Sequence, residues 1–143
     1  MLPLVPVGKS KSDPLRQPPK LHDYRLTENI TPSTVVLSDP GYDNGCGERI
    51  FINSIGAAWD YLPEQLDEAF FNSDIVVFGG TALVPEIHDG LTDLLKKSKS
   101  NGCMTIVNTV FDFRNEKLNP KQKWPLGNSD DSYHYIDLLI ADR

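Results

Sequence analysis

Residues 74–80 read DIVVFGG, an apolar run bounded by an aspartate and by two glycines. The run does not alternate between apolar and polar residues, which is typical of a strand that is covered on both faces of a parallel sheet. Gly79 and Gly80 indicate a turn at the end of the run. We therefore predict a buried strand over 74–78 that leads directly into a loop.

The best-marked helix of the chain follows this strand. Pro85 suits the first helical position, lysines are frequent in the last turn, and Asn101-Gly102 forms a typical end. We predict one helix from Pro85 to about Ser100. Its apolar stripe is Ile87, Leu91, Leu94 and Leu95.

Two further strands are predicted downstream, at 104–107 and 136–140. Strand, helix and strand joined by short links imply a right-handed crossover and parallel pairing. The predicted fold class is therefore α/β, with a parallel sheet and flanking helices.

Upstream, residues 34–38 and 48–53 are apolar and β-branched, and a glycine-containing loop connects them. They predict an antiparallel hairpin at about 34–53, outside the parallel sheet, with an exposed and mobile loop from Asp39 to Glu48. Residues 1–33 are rich in proline and have no helical or strand period, so we predict a poorly ordered arm there. The domain would then span 34–143, with Pro63 opening a short helix.

The composition argues against several partners. The chain has 143 residues and a formal net charge of −6, whereas nucleic acids and anionic membranes favour a basic face. No apolar run approaches the ~20 residues of a membrane helix. Cys46 and Cys103 are too few for a zinc or haem site, and we interpret them as reduced thiols of a cytoplasmic protein.

Ligands of open α/β sheets bind at the carboxyl ends of the strands. Three segments of this chain meet that condition, namely 79–81, 108–114 and 141–143. Their position directs attention to a small set of polar side chains: Glu86, Asn108, Asp112, Arg114 and Asp142.

Several weak motifs occur in an ordered series along the chain. Taken together, they resemble the central part of the ribokinase-like (PfkB) carbohydrate kinases, over roughly residues 34–143. The segments that carry the resemblance are Thr34–Ser38, Gly47-Glu48-Arg49, Gly56-Ala57, Pro63–Asp67, Asp74–Gly80, Asn108–Arg114, Trp124-Pro125 and Asp137–Arg143. Asp112 and Asp142 depart from the family, which usually has asparagine at these points.

The resemblance implies a kinase that uses ATP and Mg²⁺ to phosphorylate a sugar-like or nucleoside-like hydroxyl, with the hairpin as its lid. The resemblance and the position of these residues at the strand ends together suggest substrate contacts from Gly79, Gly80, Glu86, Asn108 and Arg114. Asp142 could contact Mg²⁺, which favours carboxylate oxygens. No segment resembles the family's catalytic base or its anion hole, so no catalytic residue is assigned. We expect this chain alone to be an inactive fragment that does not bind ATP and Mg²⁺ by itself.

Each candidate residue also has an ordinary structural interpretation. Gly79-Gly80 suits a simple turn, and Glu86 complements the helix dipole. Asn108 could be a buried side chain that hydrogen-bonds to neighbouring backbone, and Asp142 could be an exposed residue near the chain end. Arg114 could instead cap a loop carbonyl or pair with Asp112, but its position after a strand's carboxyl end favours recognition of a phosphate or carboxylate.

The function of the whole chain has an alternative too. A non-catalytic α/β binding or interaction module would keep the same sheet without the chemistry. An exposed sheet edge also predicts that the isolated chain is marginally folded, self-associates through the lid or that edge, or needs a partner that covers it. We expect His88 to be a solvated or boundary residue beside the apolar stripe.

Overall fold

The computed structural model describes residues 6–8 and 25–141. Strands β1 (Pro6–Gly8) and β2 (Arg25–Thr27) pair in parallel. Most residues of the predicted N-terminal arm lie outside the described ranges. No helix in the described part of the chain is both long and apolar enough to cross a membrane.

The predicted hairpin is confirmed. Strands β3 (Ser33–Asp39) and β4 (Glu48–Ser54) pair in antiparallel register, from Ser33 opposite Ser54 to Asp39 opposite Glu48. The connecting loop is exposed along almost its whole length and contains a single 3₁₀ turn at Tyr42–Gly45. Both hairpin faces are exposed, including the aliphatic cluster of Val35, Leu37, Ile50 and Ile52.

The predicted parallel sheet is confirmed as well. It has three strands in the order β5 (Ile75–Gly79), β6 (Met104–Asn108) and β7 (Leu138–Ile140). Both pairings are parallel. The fold class is therefore α/β, with a separate antiparallel hairpin.

Helices cover one face of this sheet. The predicted helix from Pro85 to Ser100 is wrong in one respect, because it divides into α2 (Pro85–Asp89) and α3 (Leu91–Ser100). The break lies at Gly90, whose φ and ψ of −86° and 1° leave helical geometry. A Cβ on Gly90 would lie 2.8 Å from Cγ of Pro63, so the backbone packs too closely there for a side chain.

The core lies between these helices and the sheet. Two shorter helices, α1 (Glu68–Phe71) and α4 (Phe113–Leu118), flank it, and Pro63–Gln65 forms a 3₁₀ turn before α1. The buried apolar side chains are Tyr61, Leu66, Phe71, Val76, Phe78, Ile87, Leu91, Leu94, Leu95, Cys103, Val107 and Leu126.

The prediction that β5 is buried on both faces is wrong for the described structure. Val76 and Phe78 are buried, but Ile75 and Val77 are each 52% exposed. The register places Ile75, Val77, Met104, Ile106, Leu138 and Ile140 on this second face, which we call the open face. The apolar sequence of β5 thus suits two covered faces, whereas the described residues cover one.

Candidate functional site

The carboxyl ends of the three parallel strands are level with one another. Gly79 pairs with Asn108, and Asn108 pairs with Ile140. The side-chain Nδ2 of Asn108 donates to the carbonyl of Ile140 at 3.4 Å, and the backbone N–H of Thr109 donates to the same carbonyl at 2.9 Å. The strand ends therefore form one connected rim.

The glycine pair turns at this rim. Gly80 has φ +61° and ψ 31°, a left-handed conformation that favours glycine, and its N–H donates to the Asn108 carbonyl at 3.0 Å. A Cβ on Gly79 would meet no heavy atom within 4 Å, so the space beside it is open. The pair therefore combines a turn with an accessible backbone surface.

Glu86 and Phe111 border the same end of the molecule. Glu86 lies in the first turn of α2 and is exposed. The loop after β6 places Phe111 in solvent, with 64% of the residue exposed, and Val110 beside Gly80. Phe111 lay within a segment that the sequence singled out, but it was not itself identified as a candidate.

Arg114 binds an acid that the sequence analysis did not consider. Its Nη2 and Nη1 donate to the two carboxylate oxygens of Asp89 at 2.6 and 3.0 Å, and Nη2 reaches the Pro85 carbonyl at 3.5 Å. The hydrogen bonds that Arg114 donates to Asp89 raise the pKa of Arg114 above its usual range. This two-pronged pair ties α4 to α2.

The expectation for His88 is wrong, because His88 is 4% exposed and belongs to the interior. Its Nδ1 lies 2.9 Å from Oγ1 of Thr81, and its Nε2 lies 3.4 Å from Oδ2 of Asp112. Burial lowers the pKa of His88, although the Asp112 carboxylate acts in the opposite direction. The imidazole therefore connects the loops that follow β5 and β6.

Asp112 is the N-cap of α4. Its Oδ1 accepts from the backbone N–H of Asn115 at 3.1 Å, and its Oδ2 accepts from Nδ2 of Asn115 at 2.8 Å. Burial favours a raised pKa, but the bonds from Asn115 and the proximity of His88 and Arg114 hold the pKa of Asp112 below its ordinary value. The carboxylate is thus ionised and held in place.

The helical spacing contained the signal that would have identified His88. His88 lies three residues before Leu91 and four before Thr92, and all three are buried. A helix that buries positions 88, 91 and 95 presents one continuous face, so His88 belongs to it. Asp89 had no comparable signal, because its partner is 25 residues away in sequence.

The residues of the described ranges include no group of three histidine, cysteine or acidic side chains that would hold a metal ion. The predicted magnesium residue, Asp142, lies outside those ranges. Its magnesium contact therefore stays a prediction.

A small pocket opens beside the strand ends, next to Gly79. Its volume is about 80 Å³, below the roughly 300–1,000 Å³ of ordinary ligand pockets. Its lining is mainly apolar and includes Tyr61, Leu66, Phe70, Val77, Phe78, Gly79, Thr81, Val84 and Ile87. The pocket is thus a small apolar depression beside the strand ends.

Comparison with solved structures identifies the fold. The chain resembles the ribokinase of Thermotoga maritima, with a TM-score of 0.58 and 15% sequence identity, over 95% of this chain and 39% of the ribokinase. No protein-family model matches the sequence, and no curated protein does. The chain therefore has a ribokinase-like fold and spans 39% of the length of that neighbour.

Proposed function

We propose that these residues form the central part of a cytoplasmic sugar kinase that transfers the γ-phosphate of ATP to a sugar-like hydroxyl. The chain would supply the lid hairpin and one wall of the sugar site. The observation that carries the proposal is the connected rim at the strand ends, where Gly80 bonds to Asn108 beside the open space at Gly79. The ordered motifs and the ribokinase-like fold support it.

Within this proposal, the roles of the rim follow from its chemistry. The exposed backbone at Gly79 and Gly80 lets a hydroxylated ligand approach closely, and the Asn108 side chain supplies a donor and an acceptor. Glu86 would accept hydrogen bonds from sugar hydroxyls, and Arg114 lies in α4, which follows the loop after β6. Bound ATP with Mg²⁺ would supply the phosphoryl group and neutralise its charge, whereas the residues of this chain bind and orient the sugar.

The alternative function is a non-catalytic interaction module. The open face supports it, because parallel sheets are normally covered on both faces, and so do the edges of β5 and β7, which pair with no further strand among the described residues. A module of this kind would bind a protein segment at that face and no sugar at the rim.

Nuclear magnetic resonance of the ¹⁵N-labelled chain separates the two proposals. We would titrate D-ribose, D-fructose, D-glucose and adenosine. We expect one of these ligands to shift the amide resonances of Gly79, Gly80 and Asn108 while that of Gly102, before the start of β6 and at the opposite end of the sheet, stays constant. Asn108→Ala should weaken binding, whereas Asn101→Ala, at the exposed end of α3, should not.

Two results would contradict the proposal. Rim resonances that respond to none of these ligands would exclude a sugar site in this chain. Phosphorylation of any of them by the purified chain with ATP and Mg²⁺ would show that the chain contains a catalytic base, contrary to its assignment as an incomplete kinase.

A further inference from the structure

We infer that the sugar site takes a neutral ligand, and that Arg114 clamps two helices instead of receiving a phosphate or carboxylate. The inference rests on the proposed function, because it specifies the substrate class of the same site. It concerns the one arginine that sequence position had suggested as an anion receptor.

The hydrogen-bonding groups of Arg114 are largely committed. Its two terminal nitrogens already hold both oxygens of Asp89, in the two-pronged geometry that an incoming carboxylate or phosphate would need. The remaining nitrogen, Nε, has no hydrogen-bond partner among the described residues but is buried, so a ligand in solvent does not reach it. An anionic ligand that binds the two terminal nitrogens in this two-pronged geometry would therefore have to displace Asp89.

The surrounding charges also oppose an anion. The Arg114 guanidinium experiences the negative charges of Asp89, Asp112 and Glu86. The hydrogen bonds of Asn115 hold Asp112 in its ionised form. Burial keeps the pKa of His88 low, so its imidazole adds no positive charge at neutral pH. Three carboxylates thus outnumber one cation.

The rest of the rim suits a ring that carries hydroxyl groups. Phe111 is 64% exposed and offers an aromatic face, on which the C–H face of a sugar packs well. Val110 adds apolar surface next to Gly80. Asn108 and the glycine backbone provide neutral hydrogen-bonding groups that match hydroxyls without requiring a charge.

The test compares matched neutral and anionic ligands by the same resonance titration. The pairs are D-ribose with ribose 5-phosphate, D-fructose with fructose 6-phosphate, and D-glucose with D-gluconate. We expect at least one neutral member to bind the unaltered chain, and its anionic partner to bind at least about tenfold more weakly. This comparison uses only the unaltered chain, so its result does not depend on whether a substituted variant folds.

A variant then tests the cause. Asp89→Asn removes the competing carboxylate, and we expect it to gain about tenfold in affinity for the anionic members and to shift the Arg114 Nε–H resonance when they bind. Asp93→Asn is the matched control, because Asp93 is exposed and pairs with Lys96 instead. Circular dichroism spectra would verify that both variants are folded.

The outcomes are distinct. An anionic member that binds the unaltered chain as tightly as its neutral partner, with a shift at Arg114 Nε, overturns the inference and leaves the sugar site standing. A folded Asp89→Asn variant without any gain for anions overturns the role of Asp89. If neither member of any pair binds, the sugar site itself is refuted, and the inference is refuted with it.

Discussion

The Lys99 ammonium lies 2.9 and 2.8 Å from the two carboxylate oxygens of Asp137. One of those oxygens also accepts from the backbone N–H of Thr105 at 2.7 Å. The Asp137 carboxylate, just before β7, therefore joins the last turn of α3 to Thr105, the first fully buried residue of β6. Because β7 is an edge strand, this junction fixes its position in the sheet.

Replacement of Asp137 should loosen that junction. The bonds from Lys99 and Thr105 lower the pKa of Asp137 from 3.8 to about 2. As the pH falls, Asp137 is therefore protonated in the unfolded chain before it is protonated in the folded chain. The contribution of its carboxylate to stability is thus present above pH 3.8 and declines toward about pH 2. We expect Asp137→Asn to lower the melting temperature at neutral pH and to make stability fall less steeply in acid. Urea unfolding across the pH range measures the free energy of unfolding of this variant, of the unaltered chain and of the control Asp93→Asn. An equal acid dependence in Asp137→Asn and the unaltered chain would contradict the prediction.

A second prediction concerns His88. Its folded-state pKa lies below 6.5, so protons bind the unfolded chain preferentially and stability should decline as the pH falls below 6.5. His88→Phe should remove that decline. At neutral pH it should cost about 1–3 kcal/mol, because Thr81 and Asp112 lose a buried partner. His134→Phe, at an exposed position, should retain the pH dependence. An unaltered pH profile in His88→Phe would show that the imidazole does not titrate as described.

The core between the sheet and α3 should dominate the stability of the chain. Leu95 is 0% exposed, and Leu95→Ala should reduce the free energy of unfolding by about 2–5 kcal/mol through lost burial and a residual cavity. Leu118→Ala is the control, since Leu118 is 74% exposed. Chemical denaturation of both variants measures the difference. Similar losses in the two variants would argue against the described core.

The open face should drive self-association. Contiguous exposed aliphatic side chains on a sheet favour contact between copies, and within the described residues the outer edges of β5 and β7 add unpaired backbone groups. We expect the purified chain to sediment as associated species, and Val77→Glu to shift it toward monomer by placing charge within the face. Leu118→Glu adds the same charge on α4 and should leave association unchanged. A strictly monomeric unaltered chain in analytical ultracentrifugation would contradict this expectation.

Local patterns in the sequence predicted most of the elements. β-branched runs located β3, β4, β5 and β6, and the short strand–helix–strand spacing implied parallel pairing. The predictions failed where a long-range contact decides the outcome. The helix predicted over 85–100 is interrupted at Gly90, where Pro63 from a distant segment packs too closely for a side chain. The apolar run of β5 carries no information on which layers are present to cover it.

In the candidate site, too, local patterns were predictable and long-range contacts were not. The strand ends indicated Gly80 and Asn108, and the structure joins them by a hydrogen bond. The partner of Arg114 could not be predicted, because Asp89 and Asp112 are both acids near the helix ends and only the packing of α4 against α2 selects between them. The substrate roles of these residues stay predictions until a ligand is tested.

The exposed hairpin has a consequence for folding cooperativity. β3 and β4 contact chiefly each other, and an isolated two-stranded hairpin is marginally stable in water. Its amides should therefore exchange their hydrogens through local opening, at a free energy well below that of the amides of β5 and β6. The chain then has two units that open independently, and no single melting temperature describes both.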